Sequence, residues 1–95
     1  MFVVSLHYKV PLIEVDRLVD AHKAWLKECY AKGLFIASGA KRPRTGGIII
    51  ARGSRDALDA RLAEDPFAKA GVADYEVTEF AATVTASDLE TYRES

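Results

Sequence analysis

The chain has little of what marks several common protein classes. Its single cysteine, Cys29, excludes an internal disulfide framework and a metal site built from several cysteines. No apolar run approaches the ~20 residues that a transmembrane helix needs. The net charge is −1, so the basic excess of a nucleic-acid-binding or anionic-membrane surface is missing. We therefore expect a soluble, cytoplasmic protein that binds neither nucleic acid nor membrane.

The sequence also shows no features of a signal peptide and no low-complexity segment. The opening residues, M-F-V-V-S-L-H-Y-K, carry no basic stretch and place a histidine where a signal peptide needs an apolar core. We find no internal repeat, low-complexity tract or linker. With 95 residues, 49% of them hydrophobic, the chain is expected to form one globular domain over residues 1–95.

Residue spacing predicts four strands and two main helices. The strands are expected at 2–10, 34–39, 46–52 and 73–83, and the helices at 13–32 and 55–64. A tight turn is expected at 67–71, and the Ser87 to Glu90 capping-box pattern predicts a short terminal helix. The order β-α-β-β-α-β is that of an α+β, ferredoxin-like fold. Two helices then cover one face of a four-stranded antiparallel sheet.

The central strands are apolar on both faces, which indicates a second covering layer. Consecutive apolar residues occur at 3–4, 34–36 and 48–50, whereas the helices cover only one side of the sheet. Large exposed apolar faces are rare, so a second copy of the chain would cover the other side in a two-fold homodimer. The alternative is that the basic loop and the C-terminal tail fold over that face.

Two residues form a candidate acid/base pair. His22 lies on the apolar stripe of the first helix, where an imidazole needs a hydrogen-bond partner and would titrate near neutral pH. Asp65 precedes Pro66, which steers its backbone away from helix and fixes the carboxylate at a helix exit. Both helices pack on one face of the sheet, so the two side chains can approach each other. A buried structural histidine, or an ordinary Asp-Pro turn, remains the alternative.

Four segments give the chain a resemblance to a known family. They are A-H-K-A-W-L at 21–26, G-L-F-I-A-S-G at 33–39, P-R-T-G-G-I-I-I-A at 43–51 and E-D-P-F-A-K-A-G-V-A-D-Y-E-V-T-E-F at 64–80. In order and spacing they resemble the YciI-like (YCII-related domain) family. The departure is Ala40, where the family often has proline after the Ser-Gly pair.

The resemblance implies both a fold and a chemistry. The fold is a ferredoxin-like dimer of the dimeric α/β-barrel kind, and the active site is a histidine and an aspartate that map onto His22 and Asp65. A few relatives carry out dehydrohalogenation or similar eliminations on small cyclic compounds. The wider fold includes lactone isomerases and monooxygenases. No cofactor is implied, and haem chemistry lacks an axial-ligand motif in this chain.

Other polar residues are candidates for binding a substrate. Ser38 could donate a hydrogen bond and Gly39 could admit a ligand to the backbone, or the two could simply form a turn. Arg44, in the basic loop with Lys41 and Arg42, could bind an anionic substrate, although such loops are usually solvated surface. His7 could line the same pocket or lie at the dimer interface.

The remaining candidates are predicted to be structural. A metal site formed by His7, His22 and Asp65 lacks a recognised ligand spacing, so no metal is expected. Cys29 is expected to fill the core, and the large aromatics to belong to core or interface: Trp25, Phe67, Tyr75 and Phe80.

The sequence therefore favours a cofactor-independent acid/base enzyme acting on a small cyclic or aromatic molecule. Its rival is a non-catalytic dimer that binds a small ligand or a protein and uses the His22–Asp65 pair structurally.

Overall fold

A computed structural model describes residues 1–94 and has the predicted α+β architecture. Its elements are β1 (Phe2–Tyr8), α1 (Leu12–Asp16), α2 (Val19–Ala31), β2 (Phe35–Ala40), β3 (Gly46–Ala51), α3 (Arg55–Leu62), α4 (Pro66–Lys69), β4 (Ala73–Glu79) and a 3₁₀ helix (Ser87–Tyr92). The strands pair antiparallel in the order β2-β3-β1-β4. This confirms the ferredoxin-like topology; the sheet is open and does not close into a barrel.

The core lies between this sheet and the helices. On β1, Phe2, Val4 and Leu6 are buried and face α2 and α3, which contribute buried residues to the same cluster: Trp25, Cys29, Leu58 and Leu62. The alternating residues point to the other face of the sheet. The cluster confirms that both main helices pack on one side, and Cys29 is a buried core residue as expected.

Neither main helix, α2 or α3, covers the other side of the sheet. Val3 and Ile50 are register partners on this face and remain partly exposed, as does the neighbouring Ile48. We call this surface, formed by the outward residues of the four strands, the open face. No helix among residues 1–94 has the length and apolar content to cross a membrane.

Several predicted boundaries are wrong, for local reasons. The predicted first helix is divided into two helices, because α1 ends at Asp16 and a short turn through Arg17 and Leu18 precedes α2. The last strand stops at Glu79, since its partner β1 begins at Phe2 and offers no further ladder positions. The terminal element is a 3₁₀ helix with Ala86 at its N-cap and no side-chain cap bond, so the predicted capping box does not form.

Candidate active site

The position of Asp65 follows from the Asp-Pro sequence. Pro66 takes the first position of α4, where its missing N–H is not needed, and Asp65 becomes the N-cap in extended conformation. The predicted turn at 67–71 is therefore mostly this short helix. The preceding helix ends at Leu62, two residues before the predicted end, and the Asp65 amide bonds back to the Leu62 carbonyl.

The Asp65 carboxylate is fully buried and accepts three hydrogen bonds. Its Oδ1 accepts from the Phe67 amide at 3.0 Å and from His22 Nδ1 at 2.7 Å, and its Oδ2 accepts from the Tyr75 hydroxyl at 2.5 Å. A buried carboxylate is stable only when such donors replace water. Because a carboxylate only accepts, Nδ1 carries the proton in this pair.

The His22 ring is held at one face by stacking and at its edge by the Asp65 hydrogen bond. It stacks on Phe67 with 4.0 Å between ring centroids and an 8° interplanar angle, and Trp25 lies one turn along α2 at 5.5 Å. Trp25 in turn donates from Nε1 to the Arg61 carbonyl at 3.0 Å, which ties α2 to α3. With Nδ1 bound to Asp65, the free nitrogen of the ring is Nε2.

His22 lines a cavity of about 380 Å³ between α2 and the first three strands. We call it the helix-side cavity. Its wall is largely apolar, formed by Leu6, Val19, Leu26, Ile49 and Phe67 among others. The His22 side chain is 15% exposed, so the imidazole reaches this space while Asp65 stays behind it. The volume is within the range of small-molecule sites.

Polar and charged side chains also line the cavity. Lys23 and Arg44 both line it, but the Arg44 guanidinium is 2.7 Å from the Asp16 carboxylate, and this hydrogen bond raises the pKa of Arg44. Lys23 makes no ion pair with any residue of the 1–94 range. The Ser38 hydroxyl shares a 2.8 Å hydrogen bond with Tyr30. The cavity thus joins the His22 imidazole, a lysine with no ion pair in the described chain, and the Ser38 hydroxyl.

The structure brings together most of the predicted site residues. Ser38, Gly39 and Arg44 line the same cavity as His22, and Asp65 is bonded to His22 from behind. An added Cβ at Gly39 would meet nothing within 4 Å, so packing does not require glycine there. Their roles in binding or catalysis remain predictions.

His7 does not join this site. It is exposed on the open face, near Ser5, Lys41 and Glu76, because alternate residues of β1 point to opposite sides of the sheet. In the single chain His7 therefore does not line the cavity that His22 lines, and its alternative position at a dimer interface stays a prediction. His7 is thus separated from His22 and Asp65, and no group of three His, Cys, Asp or Glu side chains that could hold a metal occurs within residues 1–94.

Two residues of the site were missed by the sequence reasoning. Tyr75 was assigned to core or interface, yet it is opposite Leu6 in the β1–β4 register and so points toward the helices and Asp65. Strand alternation alone could have placed it on that face. Burial and the Asp65 hydrogen bond raise the pKa of Tyr75 well above its ordinary value. For Lys23 no sequence signal distinguishes it from other surface lysines.

Comparison with known proteins identifies a family and solved structures of similar fold. The profile of the YCII-related domain family matches residues 1–81. No curated protein matches the chain. Among solved structures, the fold is similar to the 5-chloro-2-hydroxyhydroquinone dehydrochlorinase of Burkholderia phenoliruptrix AC1100 in complex with 2,5-dihydroxybenzoquinone. The TM-score is 0.66 at 22% identity, covering 84% of this chain and 93% of the other.

Proposed function

Because the chain belongs to the family of YCII-related domains, we propose that it is a small-molecule enzyme that uses His22 and Asp65 as an acid/base pair. The reaction class is elimination, isomerisation or hydrolysis of a small cyclic or aromatic compound. The observation that carries the proposal is the 2.7 Å bond from His22 Nδ1 to a fully buried carboxylate, with the same ring lining an apolar cavity.

In the proposed mechanism, His22 Nε2 takes a proton from the bound substrate. The Asp65 carboxylate keeps the proton on Nδ1 and stabilises the imidazolium that forms. In an elimination, the electrons of the broken C–H bond form the new C=C bond, and the leaving group takes the electron pair of its bond to carbon. His22 then releases its proton to solvent or to the product. Phe67, stacked on the ring, keeps the imidazole from rotating.

The cavity supports a planar, weakly acidic substrate. Its apolar wall suits a ring, while Ser38, Gly39 and the cations Lys23 and Arg44 would hold polar substituents. The structural neighbour is a dehydrochlorinase of a chlorinated hydroxyhydroquinone. Chlorinated hydroquinones are therefore the first compounds to assay, with chloride release as the signal.

His22→Ala tests the mechanism once a substrate is found. We expect loss of at least ~100-fold in kcat/KM, since a positioned general base contributes roughly 10²–10⁴-fold. The matched control is His7→Ala, which removes the other histidine from the opposite face of the sheet. Full turnover by a folded His22→Ala variant would show that the mechanism is wrong.

A second candidate function is a non-catalytic module that binds a small ligand or a protein. It is favoured by the capping role of Asp65, which holds the start of α4 whether or not chemistry occurs. Stability of Asp65 variants cannot separate the two candidates, because the cap is lost in either case. His22→Ala is the better test because it leaves the Asp65 cap on Phe67 in place. A histidine kept only for structure should then lower the melting temperature clearly, since its hydrogen bond to buried Asp65 is lost. A histidine kept for chemistry should change it little or raise it.

The proposal includes a homodimer in a reducing, cytoplasmic setting. The open face supports the dimer, because Val3, Ile48 and Ile50 are only partly covered in the single chain. The buried, unpaired Cys29 fits the cytoplasmic setting.

A further inference from the structure

Within residues 1–94, Tyr75 alone bonds Oδ2, the second oxygen of the Asp65 carboxylate. The two hydrogen bonds to Asp65 Oδ1 come from α2 and from the backbone of α4, whereas Oδ2 is bonded by the Tyr75 hydroxyl, from β4. Tyr75 is the partner of Leu6 across the β1–β4 ladder, so its ring is carried by the sheet. The carboxylate is therefore held between the helix layer and the sheet layer.

We propose that Tyr75 is a positioning residue for the acid/base pair, and that its hydroxyl fixes the Asp65 carboxylate so that Oδ1 keeps the proton on His22 Nδ1. This rests on the proposed function of His22. The backbone amide and the imidazole both bond Oδ1, and neither fixes Oδ2. Without Tyr75, Oδ2 would be buried without a donor, and the carboxylate would turn about its Cβ–Cγ bond to satisfy it. The imidazole would then lose its fixed partner.

The Tyr75 hydroxyl is suited to this role because it stays a donor. Burial and the adjacent carboxylate raise its pKa, so the proton remains on the oxygen throughout the physiological range. Other charged or titratable groups near the imidazole are Lys23 on α2, Tyr8 on β1, and Arg44 with its partner Asp16. None of these four bonds Asp65 within residues 1–94, so none can replace Tyr75.

The direct test is the tautomer of His22, read by long-range ¹H–¹⁵N NMR at about pH 9, where a free imidazole is neutral. Wild type should show mainly the Nδ1–H form. Tyr75→Phe should shift the population toward the Nε2–H form, and Tyr8→Phe should not; Tyr8 is the matched control because its ring packs on Phe67 without bonding Asp65. An unchanged tautomer in folded Tyr75→Phe overturns the proposal.

A measurement on the wild type covers the case in which Tyr75→Phe does not fold. The Tyr75 hydroxyl proton should exchange slowly enough to give a downfield NMR signal, and Asp65→Asn should shift it strongly upfield. Failure to detect this proton in the folded wild type counts against the role of Tyr75.

Once a substrate is known, kinetics separate positioning from simple packing. We expect Tyr75→Phe to lower kcat by ~10–100-fold, as removal of a supporting residue typically does, while KM stays within about two-fold. The tautomer needs no substrate, whereas turnover by His22→Ala tests the proposed function itself. The two proposals can therefore fail separately.

Discussion

At the scale of single residues, the two cations of the helix-side cavity are not equivalent. Arg44 is engaged by Asp16, while Lys23 has no acidic partner in the described chain. We expect Lys23→Gln to weaken binding of an anionic probe, 4-nitrophenolate, by roughly five-fold, and Arg44→Gln to weaken it less. Binding can be followed by quenching of tryptophan fluorescence, because Trp25 is the single tryptophan and lies beside His22. A larger effect from Arg44 would show that the anion displaces Asp16.

Tyr75 makes stability depend on pH at the alkaline end. Burial, followed by the Asp65 hydrogen bond, raises its pKa in the folded protein, whereas an unfolded tyrosine ionises near ~10. A raised folded pKa gives stability that is complete below about pH 10 and lost as the pH rises further. This group should lower the free energy of unfolding by at most about 1.4 kcal/mol per pH unit, less where solvent screens it.

Denaturant unfolding between about pH 8 and 11 checks this for wild type and Tyr75→Phe. Tyr75→Phe should be the less stable protein below pH 10, because Oδ2 of Asp65 loses its donor. The gap between the two should shrink at higher pH, and parallel curves would contradict the assignment.

The pairing of His22 with Asp65 could be foreseen, but its geometry could not. A polar residue on an apolar stripe demands a partner, and an Asp before Pro is held at a helix exit, so both residues are visible in the pattern. The bond to Tyr75 depends on the β1–β4 register, which pairs Leu6 with Tyr75 and is set by tertiary structure. Pairing of Arg44 with Asp16 likewise depends on where a loop lies.

At the scale of elements, strand and helix identities follow from residue spacing, and boundaries depend on neighbours. Period-two alternation explains why Phe2, Val4 and Leu6 share the buried side of β1. Pro66 correctly predicted that a helix ends before it. It did not predict that Asp65 caps a further helix, because a helix of one short turn has no periodicity that the sequence could show. The turn at Arg17 and Leu18 has no glycine or proline to mark it.

The β1–β3 ladder depends on a glycine at the start of β3. A Cβ at Gly46 would lie 1.7 Å from the Leu6 carbonyl oxygen, a backbone atom that cannot move without breaking the register. Gly46→Ala should destabilise the fold by about 3 kcal/mol or more, measured by denaturant unfolding. Gly39→Ala is the matched control, since its Cβ would meet nothing within 4 Å. Equal stability of the two variants would mean that the ladder adjusts freely.

At the scale of the whole molecule, the two sides of the sheet are unevenly buried. One side is packed by α2 and α3, and the open face leaves Val3 and Ile50 partly exposed beside each other. Specific interfaces bury about 1,600 Å² in total, and the apolar part of the open face, Val3, Ile48 and Ile50, can supply the centre of such an interface. A two-fold arrangement would place the same surface of both copies together.

Ile50→Glu tests whether this surface joins two copies. A carboxylate at the centre of an apolar interface must be desolvated without a partner, which opposes association strongly. We expect sedimentation equilibrium to give a dimer mass for wild type and a monomer mass for Ile50→Glu, with circular dichroism confirming that the variant folds. Ile13→Glu, on α1 and 65% exposed, is the matched control and should remain dimeric. A monomeric wild type at micromolar concentration would refute the dimer, and the open face would then be a stable surface of the single chain.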